Sequence, residues 1–227
     1  DTEIAQGPDG LLDRVFTLLC DELDEADPDY LDRLPETART VDGFAPAYFS
    51  HRREIGGLRA VKRDLTESHE TIRRKETVPH RYALLRGHER FDQILRELTE
   101  TDYQRFLDHL MPVFADCYAA VPHLSLARIT ALYDAGDTED GAASFDVIVD
   151  ARGQAPASLV DLPFASLVKA LRNPAEPVSQ PFTLDLARES ASRIYCMAMP
   201  QLLERYPFSQ GLAECSRIAR HVSDDIL

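Results

Sequence analysis

The sequence predicts a mostly α protein with a small α/β part: a helical N-terminal half followed by short strands. Three observations predict it. Apolar residues recur at helical spacing through most of the first half. Phe145-Asp146-Val147-Ile148-Val149-Asp150 is then a compact β-branched run, the type that fills a strand buried on both faces. Beyond it, helix and strand patterns alternate. The expected division is a helical region at 1–136 and a small α/β region at 137–227.

Taken in order, Asp9 is positioned to cap a helix that carries Leu11, Leu12, Val15, Phe16, Leu18, Leu19 and Leu23 on one broad apolar face. Pro28 and Pro35 bracket a short turn or helix. Gly43 to Pro46 breaks the chain, and the aromatic trio Phe44, Tyr48 and Phe49 is expected to dock the helix that follows. Gly56-Gly57 loosens the element that holds it. The segment 62–77 is very polar, with Leu65 and Ile72 as its only sizeable apolar residues, so it reads as an exposed helix or excursion. Its basic cluster Arg73-Arg74-Lys75 reads as a solvated face.

Pro79 ends that segment. Tyr82, Leu84, Leu85, Phe91, Ile94, Leu95 and Leu98 outline the next helix, with an interruption expected near Gly87. Thr101-Asp102 is positioned to cap a further one, which buries Tyr103, Phe106, Leu107, Leu110, Val113 and Phe114 and is kinked at Pro112. Pro122 begins a helix that runs to about Tyr133 and ends at Gly136. After the 145–150 strand, Ala151-Arg152-Gly153-Gln154 turns the chain. Phe182, Leu184 and Leu186 alternate with polar partners as a half-buried strand does, and 193–198 is a second compact strand candidate. Pro200 starts a short helix. The last helix buries Leu212, Cys215, Ile218, Ala219 and Val222.

Composition narrows the function. Thirty-nine acidic against 25 basic side chains leave a net charge of −14, which disfavours nonspecific contact with nucleic acid or an anionic membrane. No apolar run of membrane-spanning length and no signal peptide is visible, so a cytoplasmic location is expected. The sequence starts without Met, which suggests a trimmed chain or a fragment. Cys20, Cys117, Cys196 and Cys215 are too widely spaced for a zinc or redox motif and read as reduced thiols. The seven histidines are scattered, and no metal site is expected. The glycine-rich dinucleotide fingerprint, the phosphate-binding loop, the serine elbow and the zinc-protease motif are absent.

Three pieces carry a resemblance. Asp102-Tyr103-Gln104-Arg105-Phe106-Leu107-Asp108-His109-Leu110-Met111-Pro112, continuing to Arg128–Gly136, is one. Phe145 to Gly153 is the second. The third is Arg193-Ile194-Tyr195-Cys196-Met197-Ala198-Met199-Pro200, then Pro207-Phe208-Ser209-Gln210-Gly211. In this order they resemble the later part of bacterial FAD/NAD(P)-binding proteins related to flavin N-hydroxylases and monooxygenases. The resemblance implies that the strands belong to an incomplete dinucleotide-binding-type sheet. It implies that Ala151, Arg152, Gly153 and Gln154, with Met199 and Pro200, line a cleft at the strand ends, and that Gln210 and Gly211 face a flavin. The implied cofactors are FAD and NAD(P)H, and the implied partners are a small-molecule substrate and a segment or partner chain that carries the FAD-binding loop. That loop and its strand are missing from this sequence. The implied activity is that of part of an FAD-dependent NAD(P)H oxidoreductase or monooxygenase. The alternative is a non-catalytic helical protein-interaction module, with contact surfaces at Leu11–Leu23 and Phe44–Phe49.

Overall fold

The computed structural model describes residues 2–118, 121–135, 155–187, 193–209 and 211–227. The chain divides into two compact units, Asp1–Val149 and Asp150–Leu227.

In the first unit, α1 (Thr2–Ala5) is held to α2 (Leu11–Ala26) by Arg14, whose Nε donates to Glu3 at 2.9 Å and whose Nη2 donates to the Gly7 carbonyl at 2.8 Å. Asp9 is not the cap of α2. Gly10 is, in the left-handed region at φ 66° that glycine enters without strain. Leu11, Leu12, Phe16, Leu19, Cys20 and Leu23 form the buried face of α2, as their spacing predicts.

Thr40 caps α3 (Val41–Tyr48) by accepting from the Gly43 N–H at 3.2 Å. The expected break at Gly43–Pro46 is thus a helix, and Gly43 has a packing reason. A Cβ there would lie 2.1 Å from the Thr37 carbonyl oxygen. Phe44 meets Phe16 edge-on with centroids 5.4 Å apart, which docks α3 on α2. Next come α4 (Ser50–Ile55) and the polar α5 (Gly57–Arg74), separated by Gly56 at φ 75°.

The following helix, α6 (Pro79–Ile94), starts with proline at its first position, where the missing N–H costs nothing. It runs unbroken through Gly87. There the missing side chain leaves room for Leu19 of α2, whose Cδ1 would be 3.0 Å from a Cβ. Thr99 caps α7 (Glu100–Arg105). A π turn, Phe106–Leu110, then leads directly into α8 (Met111–Tyr118). The π turn sits just before Pro112, whose nitrogen has no hydrogen to continue the regular ladder. Phe91, Phe106 and Phe114 meet at centroid distances of 5.1 to 6.2 Å and centre the core where α6 crosses α7 and α8. Pro122 precedes α9 (His123–Asp134), which lies along α5 through Ser68–His123 at 2.8 Å and the Lys62–Asp134 ion pair.

In the second unit, α10 (Ala165–Ala170), α11 (Met199–Leu203) and α12 (Leu212–Ile226) surround a small core of Leu159, Leu171, Val178, Phe182, Leu184, Cys196, Leu202, Tyr206, Ile218 and Val222. The expected sheet is overturned here. Among the described residues there is no strand, only the isolated antiparallel bridges Thr183↔Tyr195 and Leu171↔Leu186. Residues 182–186 and 193–198 do come together, through Leu184 N–H to Ile194 O and Cys196 N–H to Phe182 O, both 2.8 Å. Their contact is limited to one bridge because α11 begins at Met199 and the chain around 170–172 takes the other side of Leu186. The fold is therefore helical, not helical plus strands of a dinucleotide-binding-type sheet. The expected strand at 145–150 lies outside the described residues. No single helix is long and apolar enough to cross a membrane among the described residues.

Candidate functional site

A polar cluster of the first unit joins α3, α4, α5 and α8. Tyr48, the last residue of α3, donates its hydroxyl to Asp116 Oδ2 of α8 at 2.7 Å, and its oxygen lies 3.8 Å from the Cys117 sulfur. Arg52 of α4 donates Nη1 to Asp116 Oδ1 at 2.6 Å and Nε to Asp64 Oδ2 of α5 at 2.8 Å. Its guanidinium carbon also lies 5.7 Å from the Phe49 ring centre. The two Asp116 oxygens are therefore both occupied, one by a hydroxyl and one by a cation. Burial works to raise the Asp116 pKa, but the hydrogen bonds from Arg52 and Tyr48 outweigh it and hold the carboxyl below its usual range.

A second group adjoins it through α6. Tyr30 and His80 stack face to face, 4.0 Å between centroids and 4° between planes. His80 Nδ1 is 2.9 Å from Asp27 Oδ2, and Arg33 reaches the same carboxylate at 3.2 Å. Burial holds His80 below the usual histidine range despite Asp27, so the ring is neutral near pH 7 and donates Nδ1–H to the carboxylate. That hydrogen bond in turn lowers the Asp27 pKa.

Arg81 follows His80 in the first turn of α6. His80 and Arg81 precede the buried Leu84 by four and three residues, which places both toward the buried side of α6. The charge of Arg81 acts on Tyr30, Tyr48, His80, Asp116 and Cys117 alike. Burial pushes the Tyr30 and Tyr48 hydroxyls and the Cys117 thiol upward, so all three stay protonated at neutral pH. A thiol kept neutral is a poor nucleophile.

Another polar knot has a structural job. Arg105 donates to Asp13, Asp42 and Asp102 at 2.8 to 3.1 Å and so ties α7 to α2 and α3. Among the described residues, no group of three His, Cys, Asp or Glu side chains could hold a metal ion.

Ala151, Arg152, Gly153, Gln154 and Gln210 lie outside the described residues. Met199 and Pro200 open α11, a helix of five residues. The Met199 sulfur accepts from the Ser209 hydroxyl at 3.2 Å, and the Pro200 carbonyl accepts from the Ala157 N–H at 2.9 Å. Gly211 is the N-cap of α12 at φ −79°. The described polar atoms at this end of the second unit serve its own packing. The Tyr48–Asp116–Cys117 and Tyr30–His80–Arg81 cluster was not singled out in the sequence. Its one sequence signal is the helical spacing of His80, Arg81, Leu84 and His88, which puts polar groups on an otherwise apolar face.

The YdhS-like middle domain matches residues 1–118, just over half of the chain. The chain belongs to the YdhS-like middle-domain family. The matched segment runs from α1 to the end of α8 and contains the whole polar cluster. A protein of Escherichia coli (strain K12) described as uncharacterized protein YdhS is 37% identical over 243 residues, which cover 96% of this chain and 46% of that protein. The chain thus spans about half the length of the curated relative it matches. No solved structure matches it.

Proposed function

We propose that this YdhS-like chain is the helical, substrate-side portion of an FAD-dependent NAD(P)H oxidoreductase or monooxygenase acting on a small molecule, with the nucleotide-binding fold supplied by another segment or a partner chain. One observation carries the reading. The chain corresponds to 46% of its relative and belongs to a family described as a middle domain, while its described residues form no sheet on which a dinucleotide could lie. Any nucleotide chemistry of the whole protein then has to be housed outside these residues. The described residues by themselves do not fit FAD. They hold no glycine-rich turn at a strand end, and Met199, Pro200 and Ser209 are engaged with their own neighbours. What the helical unit offers is the polar cluster of Tyr48, Arg52, Asp116 and Cys117 and the neighbouring Tyr30–His80 stack, where a substrate would be sought. Four free cysteines suit a reducing, cytoplasmic setting.

The test joins this chain to the sequence that accounts for the rest of the relative's length. NAD(P)H oxidation in the presence of FAD is expected only from the joined protein. A joined protein that leaves NAD(P)H untouched, with a range of small substrates offered, overturns the reading.

A second reading, the non-catalytic helical interaction module, is favoured by a different surface from the one the sequence pointed to. Leu11–Leu23 and Phe44–Phe49 turn their apolar faces into the core. By contrast, α9 exposes Leu124 (62%), Ile129 (53%), Leu132 (51%) and Tyr133 (43%). Size-exclusion chromatography with light scattering separates the two: a monomer at high concentration argues against a self-associating module.

A further inference from the structure

We infer that the exposed face of α9 is the seat for a further portion of the same protein, the portion that corresponds to the other half of the relative's length, and that this portion brings an apolar surface with a carboxylate to meet Arg128. The inference shares one premise with the proposed function, that this chain works beside further sequence. It does not need FAD to be bound.

The first observation is how α9 divides its residues. Thr130 is the one buried residue among its 12, whereas the 16-residue α2 buries six. The contacts Ser68–His123 and Lys62–Asp134 tie it to α5. On the side away from Thr130, Leu124, Arg128 and Leu132 stand four apart in a row, with Ile129 beside it. The three apolar members are each more than half exposed, and so is Val121 just ahead of the helix. One exposed leucine is ordinary, but a continuous row of large apolar side chains on one helix marks a contact surface.

The second observation is the charge on that row. Arg128 is exposed and, among the described residues, makes no hydrogen bond and no ion pair. The row holds no acidic residue, although acidic side chains outnumber basic ones 39 to 25 in the chain. A lone cation set among leucines and an isoleucine complements an apolar surface that carries one carboxylate.

The third observation selects the occupant. Two copies of this chain would each bring a net charge of −14, and their repulsion opposes pairing through this face. The same charge opposes an anionic membrane. A portion of the same polypeptide is held nearby at high effective concentration, so a small patch suffices to dock it. The relative has the length for such a portion, because this chain covers 46% of it. The family match ends at Tyr118, just before α9 begins, so the row stands at the border of the matched segment.

Cysteine reporters test this on the chain alone and on the chain joined to the sequence that accounts for the rest of the relative's length. Leu132→Cys and Ile129→Cys lie on the row, and Glu25→Cys, exposed on α2, is the control. Labelling by a maleimide is followed by peptide mass spectrometry, which separates each reporter from the native thiols. All three positions are solvated in the chain alone, so the variants fold and label at similar rates. In the joined protein the two row positions are expected to label about tenfold more slowly, as side chains inside a packed contact do, while Glu25→Cys is unchanged. Leu124→Glu with Leu132→Glu is expected to restore fast labelling of Ile129→Cys, and Arg128→Glu to restore it in part. Unslowed labelling in the joined protein, or protection that survives either change, overturns the inference. Protection of the chain alone that grows with its concentration assigns the face to a second copy and overturns it as well. Protection without FAD binding would uphold the docking and sink the flavoprotein reading, and FAD binding without protection would do the reverse.

Discussion

Asp116 is the residue on which the polar cluster turns. It joins α8 to α3 through Tyr48 and to α4 through Arg52, and its side chain keeps only 22% of its exposure. Asp116→Asn leaves Arg52 with a half-buried charge matched only by Asp64. It should cost about 2 kcal/mol, below the value for a fully buried pair because water still reaches this one. Urea unfolding at pH 7 measures it. The pH dependence has a definite sign. The Asp116 pKa is lower in the folded chain than its ordinary value, so its contribution is complete above the usual carboxylate range and disappears as pH falls through the lowered value. Asp116→Asn should flatten the acid side of the stability profile. Cys20 acts on the opposite side. Burial pushes its thiol up to about 11, so the folded chain prefers the protonated form, and that preference is lost as pH rises from the usual thiol range through about 11. Cys20→Ser should lessen the alkaline loss, and iodoacetamide should leave Cys20 largely unmodified at neutral pH. None of these partnerships was legible in the sequence. Tyr48 and Asp116 are 68 positions apart, and nothing local to either one names the other.

At the scale of elements, the helices were legible where apolar spacing was dense. The faces of α2, α6 and α7–α8 each bury a stripe of large residues against a neighbour, but Leu18 and Tyr82, expected on those faces, are exposed, and α7 is capped by Thr99 rather than by Thr101-Asp102. Glycine was misread twice, for the same physical reason. Gly43 and Gly87 look like breaks in sequence, yet each sits inside a helix where another chain segment comes too close for a side chain. Gly43→Ala would drive a methyl into the Thr37 carbonyl and should destabilise by about 1–3 kcal/mol, measured as a shift in the urea midpoint. Phe106→Ala empties the centre of the Phe91–Phe106–Phe114 group and should cost about 3–5 kcal/mol by the same measurement. The misread strands have a different cause. Alternation at 182–186 and the compact run at 193–198 do mark extended, half-buried chain, and the two segments do pair. A pattern of five or six residues cannot say whether a ladder continues, and among the described residues the two segments share one bridge, Thr183↔Tyr195.

At the scale of the whole molecule, the account is one of divided labour. The helical unit gathers Tyr48, Arg52, Asp64 and Asp116 in one polar cluster and Asp27, Tyr30 and His80 in a second. The family match covers just over half of the chain, and the chain spans about half the length of its relative. The exposed leucines and isoleucine of α9 are a surface on which another part could rest. Leu124→Glu with Leu132→Glu should leave Tm within about a degree, since both side chains are already solvated. The flavoprotein resemblance named a cofactor cleft at the strand ends, but the residues it used at 151–154 and 210 lie outside the described chain, and those at 199, 200 and 211 are parts of short helices and caps. The most direct measurement is an FAD fluorescence titration of this chain alone and of the chain joined to the remaining sequence. The account predicts no quenching by the chain alone and stoichiometric quenching by the joined protein. Tight binding by the chain alone, or none by the joined protein, would contradict it.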